Sequence, residues 1–441
     1  MPIQSVTTKL ISTLGNKESL IPIIVKDGVD SASLTYNSYK AGGIVEGTDR
    51  AIDEFGTQVI WIGGIPFFKK LADWTIYKNA KINPNVDPRV IQNKEYAAWA
   101  TKNAKGIIDK SGQTVKSAID DCLADGGKKM QNLYKGKIIG ATALTLATYF
   151  LLTKLKQKNT KTTVLKSMSH DTFTPQVKQE NNIFSQFYTD KNSNPSFKGI
   201  AKKCVDGVMF NPVHNMKIID AGITAERLAC SRNPVEFAEH AIKEGAFLFT
   251  LYGLGGKIES GINKFAQKVL NKPIDLEIDV LMDKSFEQAL GSNKILSDIA
   301  QLPEKSSSLT DKLNFIINNP NNALVQAAKK SKIISTVKDK AGNSVVDTSK
   351  FINTDDLSKL ADKMKGINNK FAASGESVSK FLSKTKLLKV GSVMANVGIS
   401  CVILGYLIPK AVYKYREMKT GSSKFHVAEN IKSENTKAQK N

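Results

Sequence analysis

The chain has 441 residues, of which 63 are Lys or Arg and 41 are Asp or Glu, so its formal net charge is +22. Its apolar content is 41% and its mean hydropathy is −0.23. A disordered polyampholyte is excluded because the apolar content suffices for a core, and a transporter made mainly of membrane spans is excluded because the mean hydropathy is negative.

The N-terminal region shows no export signal. Residues 1–16 contain no apolar run of signal-peptide length, and the apolar run at residues 20–25 has only six residues. A signal peptide needs an apolar stretch of roughly seven to fifteen residues behind basic residues. We therefore expect no cleaved signal peptide.

Residues 55–68 form a fourteen-residue apolar run that contains Gly63, Gly64 and Pro66. Runs of this length are more often core, interfacial or re-entrant segments than complete membrane spans. Glycine and proline favour a break in a helix, and hydrocarbon would leave the exposed backbone groups unsatisfied. We therefore expect a helix break here, at a membrane interface or against protein.

An apolar stripe follows this run, with Phe67, Leu71 and Trp74 at i, i+4 and i+7 and with Lys69 and Lys70 beside them. An apolar stripe bordered by lysines predicts a helix that lies on an anionic membrane surface. The alternative is a solvated helix that packs on a soluble core.

Residues 138–153 are sixteen uncharged residues with lysines on both sides. Flanking lysines bury their stems and keep their ammonium groups among lipid headgroups, which lengthens a slightly short span. We predict a transmembrane helix here. The next stretch, residues 154–199, is rich in Lys, Asn, Ser and Thr and is predicted to be a flexible polar linker.

The second half repeats this order of features. Residues 245–256 are an apolar run with three glycines, followed by Ile258, Ile262, Phe265 and Val269 at helical spacing. The glycines and the lysines beside the stripe are Gly253, Gly255, Gly256, Lys257, Lys264 and Lys268. The same interfacial helix is predicted, with the same soluble alternative.

Residues 390–409 are twenty residues without a charge between Lys389 and Lys410. As a helix they would be about 30 Å long, which matches the hydrocarbon core of a bilayer, so we predict a second transmembrane helix. Ser392, Asn396 and Ser400 form a polar stripe at i, i+4 and i+8, which indicates either a soluble core helix or a face that packs on another transmembrane helix. Residues 410–441 are predicted to be a basic disordered tail.

Several matches between the halves indicate an internal duplication. Residues 50–54 (RAIDE) align with residues 240–244 (HAIKE) at an offset of 190, which also places Gly63 on Gly253. Residues 27–29 resemble 206–208, residues 105–110 resemble 365–370, and one long apolar run follows in each half. Lysine-rich helical sequences match each other easily, which is the alternative explanation, but the common order of the features favours duplication.

The predicted fold is therefore an all-α integral membrane protein with two tandem divergent repeats. Each repeat is a glycine-broken apolar and amphipathic helical unit followed by one transmembrane helix. The predicted parts are repeat 1 at residues 20–153, the linker at 154–199, repeat 2 at 200–409 with a helical insertion at about 276–362, and the tail at 410–441. The protein would cross the membrane two to four times, with inverted repeats if each crosses once and parallel repeats if each crosses twice. Basic residues do not settle the orientation because every loop is basic.

Paired, interrupted apolar segments in two halves also indicate a transporter, because broken helices point their ends at a solute. The candidate pathway residues are Glu54, Gly63, Gly64, Pro66, Glu244, Gly253, Gly255 and Gly256. Against transport, neither long apolar run contains a charged residue, and so few spans would have to assemble as a homo-oligomer.

Catalytic and metal-binding patterns are absent from the sequence. Residues 253–257 would need Gly at Leu251 and Ser or Thr at Ile258 to form a phosphate loop. The four cysteines and four histidines are dispersed, so no metal site, cofactor or disulfide framework is expected. Nucleic acid is a weak candidate partner, because the lysines are spread evenly and arginines are few.

The sequence thus predicts a non-catalytic membrane protein that anchors or organises basic helical domains at an anionic membrane surface. A small oligomeric channel or transporter is the alternative.

Overall fold

The computed structural model describes residues 10–15, 20–104, 106–109, 112–168, 210–339 and 341–440. This part of the chain is mostly helical, as predicted. It divides into two compact units. Unit 1 comprises Met1–Asn16, Lys70–Lys137 and Glu259–Met394, and unit 2 comprises Lys17–Lys69, Ile138–Ile258 and Ala395–Asn441.

Helices of the first half precede residue 169. They are α1 (Ile21–Ala72), α2 (Lys78–Ala80), α3 (Pro88–Gln92), α4 (Lys94–Asn103), α5 (Val115–Leu123) and α6 (Lys128–Met168), with a π-helical turn at Asp73–Tyr77. Helices of the second half begin at residue 212. They are α7 (Pro212–Ala229), α8 (Pro234–Leu248), α9 (Gly255–Lys268), α10 (Ile278–Leu281), α11 (Lys284–Gly291), α12 (Lys294–Ala300), α13 (Leu309–Asn318), α14 (Ala323–Lys330), α15 (Thr354–Ser374), α16 (Val378–Val402), α17 (Ile408–Thr420) and α18 (His426–Lys440), with π-helical turns at Phe249–Leu254 and Ile403–Leu407. Strands β1 (Thr336–Lys338) and β2 (Ser344–Val346) form an antiparallel hairpin, in which Val337 pairs with Val345.

Both predicted apolar runs are helical. Residues 138–153 lie within α6, and residues 390–409 lie within the helical stretch from α16 through α17. Lys128–Lys166 and Val378–Thr420 are the two helices in the described residues that are long and apolar enough to cross a membrane. Only 28% of the most apolar 18-residue window is buried in each, whereas the core helix of a soluble protein is mostly buried.

The predicted helix break at Gly63 and Gly64 is wrong, whereas a π-helical turn interrupts the α-helix at Gly253. Helix α1 runs through Gly63, Gly64 and Pro66, and its non-helical residue is Gly43, with φ 66° and ψ −156°. Gly253 lies in a π-helical turn, and Gly255 and Gly256 begin α9. A glycine in a helix costs only about 1 kcal/mol, and close contact with a neighbouring helix can offset that cost.

Glycines in unit 2 lie where helices approach closely. A Cβ atom on Gly56 would lie 2.7 Å from Leu152, and one on Gly64 would lie 3.1 Å from the hydroxyl of Thr145. Glycine therefore lets α1 approach α6 where a larger residue would clash. Gly222 of α7 is equally close to Leu146 on the same helix α6. Small residues in this role are typical of packed transmembrane helices.

Two segments predicted to lack regular structure contain helices. Residues 154–168 are the last turns of α6, while the remainder of the predicted linker lies outside the described residues. In the predicted tail, α17 ends at Gly421, which has φ 71°, and α18 follows. Phe425 and Val427 are buried, and their packing explains why this polar sequence is ordered.

One sequence match between the halves is wrong, and one lies outside the described residues. Gly106 has φ 77° and is followed by β-bridge residues, whereas residues 365–370 lie inside α15, so these segments do not correspond. Residues 27–29 are in α1, and residues 206–208 are not described.

A different pair of segments, 230 residues apart in sequence, has the same hydrogen bonds. The Asp109 amide donates to the Gln113 carbonyl at 2.9 Å, and the Asp339 amide donates to the Asn343 carbonyl at 2.9 Å. The turn glycines, Gly112 and Gly342, have φ 83° and 84°, which only glycine adopts without strain. Both segments belong to unit 1.

Unit 1 has one hydrophobic core. Its buried residues come from both halves of the chain, from residues 77–130 and from residues 276–382. Tyr96 illustrates the packing. Its hydroxyl donates to the Lys350 carbonyl at 3.0 Å and accepts from the Ile352 amide at 2.8 Å, and its ring stacks on Phe351 at 5.2 Å. Asn93 caps α4 and Asp283 caps α11, and these caps are 190 residues apart.

Replacing Phe286 with alanine should destabilise unit 1 by about 3–5 kcal/mol, because it leaves a cavity in this core. Phe286 is 3% exposed, whereas Phe265, also in unit 1, is 56% exposed. Phe265→Ala is the matched control and should change stability by less than about 0.5 kcal/mol. Denaturant titrations of the purified full chain measure both, and equal effects would contradict this assignment of the core.

Candidate functional site

Unit 2 contains a largely buried series of ionisable residues on two helices. In α1 the series occupies positions i, i+3, i+4, i+7 and i+8, and α8 repeats it 190 residues later. This spacing puts all members of a series on one face of its helix. The paired positions are Glu46 and Glu236, Asp49 and Glu239, Arg50 and His240, Asp53 and Lys243, and Glu54 and Glu244. We call this set and the cations bound to it the charge ladder.

At one end of the ladder, Arg416 of α17 joins the two series. Its guanidinium donates to both carboxylate oxygens of Glu239, at 2.7 and 2.9 Å, and to Glu46 at 2.6 Å. Arg416 is only 1% exposed, and both carboxylates are buried. A planar guanidinium that forks onto a carboxylate is the strongest pairing that side chains offer.

Arg232 makes the corresponding bridge with the partners interchanged. It donates to the two oxygens of Asp49 at 3.2 and 3.1 Å and to Glu236 at 3.0 Å. In the paired positions, Glu236 is the counterpart of Glu46 and Asp49 is the counterpart of Glu239. The two acids that Arg232 binds are therefore the counterparts of the two acids that Arg416 binds. The two arginines therefore occupy equivalent places with respect to the two helices.

The other end of the ladder is centred on Glu54 and Glu244. The Lys243 ammonium donates to Glu54 at 2.6 Å and lies 3.2 Å from Glu244. Arg227 of α7 donates to Glu244 and lies 3.6 Å from Glu54. The glutamates that the sequence analysis singled out are thus brought together through shared cations.

Asp53 is held by three cations from three helices. Lys156 of α6 lies 3.3 Å from it, Arg227 lies 3.5 Å from it, and Arg50 lies 3.7 Å from it on the same helix. Arg227 also donates to the hydroxyl of Tyr149, on α6, at 2.7 Å. Charges on α1 and α7 therefore contact the apolar helix α6, which carries no acidic residue of its own in this region.

Helix α6 and the stretch from residue 395 bury polar side chains together with some apolar ones, and both expose large apolar side chains. The buried polar side chains of α6 at and beyond residue 145 are Thr145, Tyr149, Thr153, Lys156 and Thr160. Its exposed large apolar side chains are Ile139, Leu144, Phe150, Leu151 and Leu155. On the stretch from residue 395, Ser400 and Arg416 are buried, whereas Ile399, Val402 and Leu407 are exposed.

The polar stripe predicted on residues 390–409 faces protein. Ser392 and Ser400 are buried, and Asn396 accepts from the Lys26 ammonium at 3.0 Å and donates to the Gly255 carbonyl at 3.3 Å. Gly255 allows this contact, since a Cβ atom there would lie 3.2 Å from Asn396.

A small cavity of about 20 Å³ lies beside the ladder, which is room for about one water molecule. Its ionisable lining residues are Asp27, Glu54, Asp220, Arg227, Lys243 and Glu244. Asp220 accepts from the Trp61 indole at 2.9 Å and from the Tyr252 hydroxyl. The lining holds four acids and two bases, so this interior site is acidic in a strongly basic chain.

The remaining predicted pathway residues do not line this cavity. Gly63 and Gly256 have open space where a Cβ atom would lie, Gly64 and Gly255 contact neighbouring helices, and Gly253 lies beside Phe249. Among the residues predicted to contact lipid, Lys70, Lys257, Lys264 and Lys268 are exposed, whereas Lys69 is half-buried.

Sequence reasoning missed the cations of the ladder. The chain has only five arginines, and four of them, Arg50, Arg227, Arg232 and Arg416, belong to the ladder. In a chain that otherwise uses lysine as its cation, the rare arginines are the signal that could have found this site, because buried carboxylate pairs favour guanidinium groups. The described residues contain no cluster of His, Cys, Asp and Glu that could hold a metal ion.

No known protein family, curated protein or solved structure matches this chain.

Proposed function

We propose that the chain is an integral membrane protein whose unit 2 lies in the bilayer, with α6 and the α16–α17 stretch as spans. One observation carries this proposal: unit 2 buries many charged and hydroxyl groups, while α6 and the stretch from residue 395 expose large apolar side chains. In water this arrangement is unfavourable because it leaves a large apolar area exposed to solvent. In a bilayer it is the expected arrangement.

A duplicated architecture is part of the proposal. The two five-residue series, the interchanged pairs of Arg232 and Arg416, and the matching turns at Asp109 and Asp339 support it. Equivalent carboxylates bound to two arginines in equivalent places favour duplication over a chance resemblance between lysine-rich helices. We infer that the two copies pack against each other through the ladder.

The protein's proposed role is to anchor and organise its basic helical unit 1 at an anionic membrane surface. Exposed apolar side chains of unit 1 have lysines close to them in sequence: Trp74 and Ile76 follow Lys70, and Phe265 and Val269 flank Lys268. Each lysine near an anionic surface contributes about 1 kcal/mol, and the apolar side chains add burial among the headgroups. Anionic lipid headgroups are the proposed partner.

Cysteine accessibility tests membrane insertion and counts the spans. Lys158, Lys257 and Lys414 are exposed and suit single replacement by Cys in a chain without its native thiols. Lys156 is unsuitable because it is buried against Asp53. We expect at least one site to react with a membrane-impermeant maleimide only after permeabilisation. Equal labelling of all three sites from one side of sealed vesicles would contradict two single spans.

Trp74 should report directly on the lipid surface. It is 68% exposed, whereas Trp61 and Trp99 are buried. In vesicles with anionic, brominated lipids, bromine should quench up to about one third of the emission, because Trp74 is one of three tryptophans. Trp74→Phe should remove most of this quenching. Quenching of Trp74 by aqueous iodide but not by brominated lipid would contradict interfacial placement.

Transport is the second candidate function, and the polar cavity is the observation that favours it. Buried ionisable groups inside a membrane domain often mark an ion or proton pathway. A flux assay on vesicles containing the purified chain separates the two functions. Proton or cation leak that is lost in Glu244→Gln, with Glu304→Gln as the exposed control, would favour transport, and anionic-lipid binding without leak would favour the anchoring role.

A further inference from the structure

Asp30 is a buried acid whose two carboxylate oxygens both lack a hydrogen-bond partner. It lies in α1, is 1% exposed, and makes no ion pair within the described part of the chain. Other buried acids of unit 2, such as Glu46 and Asp53, have at least one oxygen in an ion pair or hydrogen bond. Asp30 therefore differs from these acids, because within the described residues it is buried without an ion pair or a hydrogen bond.

The charged groups around Asp30 are those of the cavity. Lys243 and Glu244 of α8, Glu54 farther along α1, and Asp27 one turn away all lie within electrostatic range of it. Each of these four residues also lines the cavity. The Lys243 ammonium is already bonded to Glu54 at 2.6 Å and lies 3.2 Å from Glu244. Lys243 is the one cation in this set, and two other carboxylates, those of Glu54 and Glu244, share it with Asp30.

An ionised carboxylate that is buried without hydrogen bonds is very costly, and such groups normally take up a proton instead. We propose that Asp30 is a proton-binding site: its carboxylate takes a proton from the solvent, forming one O–H bond, and holds it in the folded protein at neutral pH. This inference deepens the second candidate function, for which Asp30 would be the proton carrier, but it does not require that the chain span a membrane.

Infrared spectroscopy of the purified full chain in detergent tests the proposal. At neutral pH we expect a carbonyl stretch of a protonated carboxyl group that shifts in heavy water and is lost in Asp30→Asn. The exposed-acid variant Glu304→Gln should leave the band unchanged. A spectrum in which Asp30→Asn removes no protonated-carboxyl intensity would overturn the proposal.

Thermal unfolding provides the second measurement. If Asp30 binds a proton only when the chain is folded, wild-type stability falls as pH rises, because the folded state holds more protons than the unfolded state. The melting temperature of Asp30→Asn should therefore rise relative to wild type between about pH 5 and pH 8. A constant difference, or a variant that fails to fold, would contradict a neutral Asp30.

A bound metal cation is the competing occupant. It would make the wild-type melting temperature rise with sodium or potassium concentration and would leave no protonated carboxyl band, which overturns the proton assignment. Failure of this proposal is distinguishable from failure of the proposed membrane function, because the two tests above are made in detergent and do not measure insertion.

Discussion

Arg416→Ala should lower the free energy of unfolding by about 3–5 kcal/mol. Arg416 forms three charge-assisted hydrogen bonds to Glu239 and Glu46, and all three residues are buried. Removing the guanidinium leaves two carboxylates without a counterion, and the cost of a buried, unpaired charge exceeds the net value of the ion pair itself. Denaturant titration of the detergent-solubilised chain measures the loss.

Two further variants separate this explanation from a simple packing defect. Combining Arg416→Met with Glu46→Gln and Glu239→Gln removes all three charges, so it should recover much of the lost stability. Lys359→Ala removes the exposed partner of Asp356 and should leave the unfolding midpoint unchanged. If the triple variant is no more stable than Arg416→Ala, the unpaired carboxylates are not the cause of the loss.

Leu144→Lys should impair membrane insertion by about 3 kcal/mol, the cost of a lysine at the centre of a transmembrane helix. Leu144 lies near the middle of the apolar run of α6 and is 49% exposed. In an aqueous protein the same substitution would change stability by less than about 0.5 kcal/mol, because an exposed leucine has little packing to lose. The membrane-integrated fraction of the chain, measured after expression, distinguishes these outcomes.

Leu387→Lys is the matched control. Leu387 is 73% exposed on α16 but precedes the uncharged run at residues 390–409. We expect the Leu387→Lys variant to insert into the membrane as efficiently as the wild-type chain. Equal behaviour of the two variants would mean that the exposed apolar face of α6 is in water.

The helices and their apolar faces follow from local sequence patterns. The uncharged runs at residues 138–153 and 390–409 are helical, and the stripe at Ser392, Asn396 and Ser400 faces protein. Such features depend on residues a few positions apart, which periodicity reports directly.

The features that were predicted wrongly depend on contacts distant in sequence. Helix α1 continues through Gly64, which lies against Thr145 of α6, a contact that no local pattern reveals. The segment after Lys410 is helical because Arg416 reaches Glu46, about 370 positions earlier in the chain. Composition alone makes the same segment resemble a solvated tail.

The sequence predicted only part of the charge ladder. The match between residues 50–54 and 240–244 covered three of the five positions of each series, and it gave no reason to place the two series in contact. Their partners Arg227, Arg232 and Arg416 lie in segments without a motif, so only folding brings them to the carboxylates.

Alkaline carbonate extraction of membranes from cells that express the full chain tests the central claim most directly. High pH releases peripheral and trapped soluble proteins and leaves proteins with transmembrane helices in the bilayer. With unit 2 inserted through α6 and the α16–α17 stretch, the chain should remain in the membrane pellet. Its release into the alkaline supernatant would show that both apolar helices belong to an aqueous protein and would contradict the account.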